Sequence, residues 1–160
     1  IGIDPGLSGA IAVLKNNKVL NIFDMPVMSE GKKNKRQLNS ALLVTLIKEN
    51  INNNEEVSVV VEQVNAMPGQ GVTSMFNFGQ TFGAIKGICA ALELPIFFVR
   101  PSKWKKHFEL INSSKDSSRT KAIEMYPKLS NQLAKKKDVN KSDAILIARF
   151  FSETRLTEVN

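Results

Sequence analysis

Three acidic residues lie at the end of, within or at the start of apolar segments, where a carboxylate is unusual. Asp4 ends a short hydrophobic strand and precedes a Pro-Gly turn. Glu62 interrupts the β-branched segment 58–64, where a buried carboxylate is costly unless it is paired or binds a metal. Asp143 opens the apolar last helix. Structural alternatives exist, because Asp4 can cap its own turn and Asp143 can stabilise the start of the helix.

Carboxylates from three separate elements of an α/β sheet repel one another unless divalent cations neutralise them. Mg²⁺ prefers such hard oxygen ligands and keeps water and substrate phosphates in its coordination sphere. Two ions about 4 Å apart can generate hydroxide, orient a phosphodiester and stabilise the leaving oxygen. His107 is the single histidine, and no hydrolase triad is recognisable. The three acids therefore predict metal-dependent hydrolysis without a covalent protein nucleophile.

The pattern of hydrophobic residues predicts the elements that would position these acids. Three strands joined by short turns, within residues 1–25, predict an antiparallel meander. The apolar segments 58–64 and 95–99 predict buried parallel strands. Helices are expected at about 38–50, 73–92, 118–125 and 141–151, and the polar segment 29–36 is expected to be a mobile loop. We predict one α/β domain over 1–160, with a five-stranded mixed sheet flanked by helices.

The positive charge is concentrated in one third of the chain. Residues 101–150 hold 12 Lys and Arg against 5 Asp and Glu, which equals the whole net charge of +7. A local excess of this kind favours nucleic acid as a partner over a lysine-rich face that serves solubility alone. Cys89 is the only cysteine, so no internal disulfide forms. No membrane-length apolar run or signal peptide is visible, and we expect a cytoplasmic protein.

A stripe of glycines marks the second predicted helix. Gly79, Gly83 and Gly87 fall four residues apart. Each costs up to about 1 kcal/mol in a helix relative to alanine. Close packing on the sheet or on a second copy of the helix would offset this cost.

Three sequence blocks carry a resemblance to a known family. They are Ile3-Asp4-Pro5-Gly6, Val61-Glu62-Gln63-Val64 and Ser142-Asp143-Ala144-Ile145-Leu146-Ile147-Ala148. In this order and spacing, the chain resembles the RuvC family of Holliday-junction resolvases, within the RNase H-like superfamily, over nearly its whole length. The approach to the last helix is more similar to the phage-type and related short members. The resemblance implies an RNase H-like fold.

The resemblance also implies a metal site. Asp4, Glu62 and Asp143 would ligate two Mg²⁺ ions, and Mn²⁺ is expected to substitute for them. The family usually has an Asp or His three residues before the final Asp, whereas this chain has Asn140 there. Asn140 could coordinate weakly or through a water molecule, but it brings no charge, so we assign the fourth metal-binding and catalytic role to Asp138. The alternative is that Asp138 only caps the last helix.

Family members act as homodimers on four-way DNA. They cut two opposed strands and leave 5′-phosphate and 3′-hydroxyl ends, in a bacterial cell or a phage-infected host. The resemblance implies a dimer contact through helix 73–92 and places the loop 65–72 beside the junction centre. The expected phosphate contacts, which position DNA without reading its sequence, are Lys105, Lys106, Lys115 and Arg119.

Three other functions fit parts of this pattern. A related RNase H-like nuclease could use the same acids on flaps, R-loops or RNA–DNA hybrids. Sugar kinases and actin-like ATPases open with a similar strand and Asp, but they need two such domains and a longer chain. A non-catalytic DNA-binding module is disfavoured, because bare carboxylates would repel phosphate.

Overall fold

The computed structural model describes residues 1–31, 35–52, 54–65, 69 and 71–158, with side chains as far as residue 155. The strands are β1 (Gly2–Asp4), β2 (Ala10–Lys15), β3 (Lys18–Asp24), β4 (Val27–Glu30), β5 (Lys35–Leu38), β6 (Val59–Glu62) and β7 (Ile96–Val99). The helices are α1 (Ser40–Glu49), α2 (Val72–Ala91), α3 (Pro101–His107), α4 (Ser117–Met125) and α5 (Val139–Glu158).

Five strands form the main sheet, in the order β3-β2-β1-β6-β7. The pairs β1–β2 and β2–β3 are antiparallel, and β1–β6 and β6–β7 are parallel. Val59, Val60 and Val61 of β6 are all buried, as expected for a central strand covered on both faces. The predicted fold class, a meander joined to parallel strands and flanked by helices, is confirmed.

Helices cover both faces of this sheet. One face packs against α1 and α2 through a core that includes Ile3, Val61, Leu43 and Ile85. The other face packs against α3, α4 and α5 in two clusters. Among the described residues, no helix is long and apolar enough to cross a membrane.

The segment 29–36 differs from the predicted mobile loop. Val27–Glu30 pairs with Lys35–Leu38 in a separate antiparallel ribbon, in which Val27 lies opposite Leu38. Leu38 is buried in the core and anchors the base of the ribbon, and Gly31 enters the turn with a positive φ of 64°. Residues 32–34 lie outside the described residues. The prediction missed this ribbon because its polar side chains gave no alternating hydrophobic pattern.

Candidate active site

Two neighbouring parallel strands place Asp4 and Glu62 side by side. Ile3 pairs with Val61, so the next residue of each strand is an acid at the strand end. Hydrogen-bonded strands lie about 4.8 Å apart. Because Ile3 and Val61 point into the core under α1 and α2, strand alternation directs both carboxylates toward the opposite face.

A tight turn fixes the backbone after Asp4. The N–H of Gly9 donates to the carbonyl of Gly6 at 2.8 Å. A Cβ at Gly9 would lie 2.1 Å from the carbonyl oxygen of Asp4, so only glycine fits this turn. The Asp4 Oδ1 atom accepts a long hydrogen bond of 3.5 Å from the N–H of Gly6. The predicted capping interaction is therefore present but weak, and it leaves most of the carboxylate available.

Helix α5 brings Asp143 to the same end of the sheet. A Cβ at Gly2 would lie 2.2 Å from the Ala144 carbonyl and 2.7 Å from the Cβ of Ala148. The helix thus approaches β1 so closely at position 2 that only glycine fits there. At the start of α5, the Nδ2 of Asn140 donates to the Ser8 carbonyl at 2.5 Å, which ties the helix to the Asp4 turn.

The three carboxylates are electrostatically coupled. Burial, followed by repulsion from Glu62 and Asp143, raises the pKa of Asp4 to about 7. Burial also raises the pKa of Asp143 to about 6, with Glu62 adding to the increase while Ser118 and two lysines oppose it. The pKa of Glu62 is raised by burial, against the lowering effects of Trp104 and Lys105. Perturbed and mutually repelling carboxylates are typical of functional sites.

The donor atoms of this acidic site fit a hard cation. The Oδ1 of Asp143 is buried and has no hydrogen-bond partner within the described part of the chain. Carboxylate oxygens are the ligands that Mg²⁺ prefers. Within that same part, no three His, Cys, Asp or Glu side chains are gathered closely enough to chelate an ion as they stand. A bound cation would satisfy the partnerless Asp143 oxygen and relieve the repulsion among the three carboxylates.

Two of the predicted phosphate-binding lysines border the acidic site. Lys105 lowers the pKa of all three carboxyls, and Lys115 lowers that of Asp143. Both lysines line a cavity of about 370 Å³ whose wall includes Asp143 and Ser118. A larger cavity of about 930 Å³ lies at the opposite end of the sheet, away from the three acids. Because two lysines and a serine line it, the smaller cavity has the chemistry of a phosphate-binding site.

Asp138 caps the 3-10 turn that precedes the last helix, rather than the helix itself as in the alternative prediction. It ends a 3-10 turn, Lys136–Asp138, that leads into α5. Its Oδ2 accepts from the Lys135 N–H at 2.9 Å, and its Oδ1 accepts from the Lys141 ammonium at 3.3 Å. Although burial raises its pKa, these bonds hold the pKa below the usual range. The contacts turn the carboxylate toward its own turn, and a metal-binding role for Asp138 stays a prediction.

The other predicted residues differ in how free they are to bind DNA. The Arg119 guanidinium donates twice to Asp116, at 2.7 and 2.6 Å, and once to the Leu133 carbonyl at 3.1 Å. It therefore clamps α4 to a neighbouring segment. Lys106 is exposed on α3. In the predicted junction loop 65–72, residues 66–68 and 70 lie outside the described residues.

The sequence reasoning missed two supporting residues. The Nε1 of Trp104 donates to the Oε1 of Glu62 at 2.9 Å. Ser118 lowers the pKa of Asp143 and lies with it in the wall of the adjacent cavity. Neither residue stands in the blocks that carry the acids, and only the fold brings the α3 and α4 side chains to the strand ends. No sequence signal could have identified these pairs.

This mixed sheet, an antiparallel meander joined to two parallel strands and flanked by helices, is also the fold of solved RuvC structures. The chain is similar to a solved structure of T. thermophilus RuvC in complex with a Holliday junction substrate. The TM-score is 0.60 at 16% identity, covering 96% of this chain and 94% of that chain. A second Thermus thermophilus RuvC structure gives a TM-score of 0.55 at 15% identity, with 96% and 95% covered. No family model matches the sequence, and no curated protein matches it significantly.

Proposed function

We propose that this chain is a metal-dependent, structure-selective DNA endonuclease that resolves four-way junctions by paired nicks. The observation that carries the proposal is the placement of Asp4 and Glu62 at adjacent strand ends, with Asp143 on the helix that packs closely on β1. The raised pKa values of Asp4 and Asp143 support it. The similarity to a RuvC structure that holds a Holliday junction supports the choice of substrate. Residues 1–160 would act as a single nuclease domain.

Each residue of the site has a distinct proposed role. Asp4, Glu62 and Asp143 would hold two Mg²⁺ ions, for which Mn²⁺ would substitute. Bound ions of this kind supply an activated water and neutralise charge on the phosphodiester, so that hydrolysis leaves 5′-phosphate and 3′-hydroxyl ends. The carboxylates would draw together when their repulsion is neutralised. Asp138 stays a predicted fourth ligand without support from its contacts.

The two lysines beside the acids would guide the DNA backbone into place. Lys105 and Lys115 share a cavity with Asp143, so a phosphate there would lie between cations and the metal site. Lys106 would contact phosphate further along the exposed side of α3. The Arg119 contact with DNA is the least supported, because its guanidinium is already engaged by Asp116.

A second copy of the chain would cover the exposed face of α2. A Cβ at Gly79, Gly83 or Gly87 would meet no described atom within 4 Å. Packing on the sheet, which uses Thr81, Ile85 and Cys89 instead, therefore does not offset the cost of these glycines. Val72 and Phe76 lie seven and three residues before Gly79, on the same side of the helix, and are 85% and 65% exposed. We propose this face as the homodimer contact that pairs two sites on one junction.

Branched DNA substrates will test the proposal directly. The purified chain is incubated with a four-way junction, a flap, an RNA–DNA hybrid, an R-loop and a linear duplex, with Mg²⁺ or with EDTA. We expect symmetric nicks in the four-way junction, ligatable ends and no cleavage in EDTA. If flaps, R-loops or hybrids are cut in preference to the four-way junction, the proposed substrate is wrong and the preferred one takes its place. Cleavage in EDTA would contradict metal dependence.

Variants then connect the activity to the acidic site. Glu62→Gln should abolish cleavage and leave junction binding intact, because the amide keeps the shape but not the charge. Asp24→Asn is the matched control, since Asp24 lies in the same row of the sheet as Asp4 but its side chain is 72% exposed. If both variants lose activity equally, the acids do not form a specific site.

A further inference from the structure

The indole of Trp104 makes a specific polar contact from inside the core. The residue is 0% exposed and lies in a cluster with Val60, Leu146 and Ile147. Its Nε1 donates to the Oε1 of Glu62 at 2.9 Å. A phenyl ring would fill most of this space without a polar group. Because a buried indole N–H is costly when unpaired, the hydrogen bond links the packing of α3 to the orientation of Glu62.

A short connection joins the helix that carries Trp104 to the strand that pairs with Glu62. Glu62 lies opposite Val99 across β6 and β7, and the Gln63 N–H donates to the Val99 carbonyl at 2.7 Å. Only Arg100 separates Val99 from the first residue of α3, Pro101. The helix that carries Trp104 is therefore fixed relative to the strand end that carries Glu62.

We propose that Trp104 is a positioning residue that holds one oxygen of the Glu62 carboxylate and leaves the other for a metal ion. This inference rests on the proposed function, in which Glu62 is a metal ligand. Hydrogen-bonded partners of metal ligands orient them, and losing such a partner typically costs about 10–100-fold in metal affinity or activity. Lys105 follows in the chain, with its ammonium 5.3 Å from the Trp104 ring centroid, and adds positive charge beside the same carboxylate.

The Trp104→Phe variant separates positioning from packing. We expect the Mg²⁺ concentration at half-maximal junction cleavage to rise about 10-fold or more, with the rate recovering at saturating Mg²⁺. Phe108→Leu is the matched control, because Phe108 belongs to the same buried cluster and has no polar group. It should lower thermal stability without moving the Mg²⁺ midpoint. A Trp104→Phe rate that falls equally at all Mg²⁺ concentrations would overturn the inference.

A spectroscopic test keeps the inference falsifiable if Trp104→Phe fails to fold. Trp104 is the only tryptophan, so its emission reports on this one contact. Titrating the full chain with Mg²⁺ or Mn²⁺, without DNA, should change the emission at the same midpoint that calorimetry gives for metal binding. Glu62→Gln should remove the change. Metal binding by calorimetry with an unchanged emission would overturn the inference.

The outcomes also separate this inference from the proposed function. If the wild-type chain cleaves no branched DNA but its Trp104 emission follows metal binding, the nuclease proposal fails and the positioning role stands. If the chain cleaves junctions but Trp104→Phe has an unchanged Mg²⁺ midpoint, the nuclease proposal stands and the positioning role of Trp104 fails. If neither Mg²⁺ nor Mn²⁺ binds or supports cleavage, both proposals fail.

Discussion

Replacing Asp4 with asparagine should stabilise the metal-free protein at neutral pH while abolishing its cleavage. The amide keeps the acceptor that the Gly6 N–H contacts at 3.5 Å. It removes one of three carboxylates that are partly buried and repel one another. The substitution therefore relieves an electrostatic cost that the proposed metal site imposes on the fold.

The size of this cost follows from the pKa of Asp4, which is raised from 3.8 to about 7. A shift of about 3 units corresponds to about 4 kcal/mol, which is an upper limit because the neighbouring carboxyls titrate as well. We expect Asp4→Asn to gain roughly 2 to 4 kcal/mol at neutral pH, or roughly 5 to 15 °C in Tm for a domain of this size.

The effect should depend on pH in a defined direction. The folded-state pKa of Asp4 lies above its unfolded value, so between pH 3.8 and about 7 the folded chain binds more protons than the unfolded chain. The free energy of unfolding of the wild type therefore falls as pH rises through this window. The advantage of Asp4→Asn should be largest near pH 7 and should vanish near pH 4.

Thermal unfolding in EDTA, followed by circular dichroism from pH 4 to pH 7.5 on the wild type and the variant, measures this difference. The control is Asp24→Asn, whose exposed carboxylate pairs with Lys141 at 3.4 Å. A surface change of this kind should stay within about 0.5 kcal/mol at all pH values. Equal stability of Asp4→Asn and wild type at pH 7, or an advantage that persists unchanged at pH 4, would refute the raised pKa of Asp4.

Three further predictions concern packing, DNA binding and assembly. Gly2→Ala should lower Tm and cleavage together, because its Cβ would clash with the Ala144 carbonyl at 2.2 Å; wild-type values for both would contradict the close approach of α5. Lys115→Ala should weaken junction binding and reduce the slope of log K against log salt by about 1, whereas Lys48→Ala should not; an unchanged slope would remove Lys115 from the interface. Gly83→Glu should convert a dimer to a monomer in light scattering, and a wild-type mass would exclude α2 as the contact.

The sequence predicted those parts of the fold that depend on local hydrophobic pattern. Valines on both faces of β6 indicated a central strand, and the short polar turns indicated the meander. The ribbon of β4 and β5 was missed, because only Leu38 at its base is buried, Val27 is half-buried, and its other described side chains are exposed. A pattern of buried residues cannot mark strands that bury almost nothing.

The candidate site was predictable to a similar extent. Asp4 and Glu62 could be placed at strand ends because each interrupts an apolar segment. Asp143 could be placed near the start of the last helix because it precedes an apolar segment. The role of Asp138 depended on one turn of backbone, where the Lys135 N–H and the Lys141 ammonium bind its carboxylate. The contact between Trp104 and Glu62 joins residues 42 positions apart. Such contacts are set by packing of the whole fold and leave no local trace.

The central proposal is that Asp4, Glu62 and Asp143 gather around divalent metal ions. Anomalous diffraction from crystals of the protein grown with Mn²⁺ and a four-way junction tests it most directly. We expect anomalous peaks within ligand distance of all three carboxylates. Peaks elsewhere, or none between these carboxylates at saturating Mn²⁺, would contradict it.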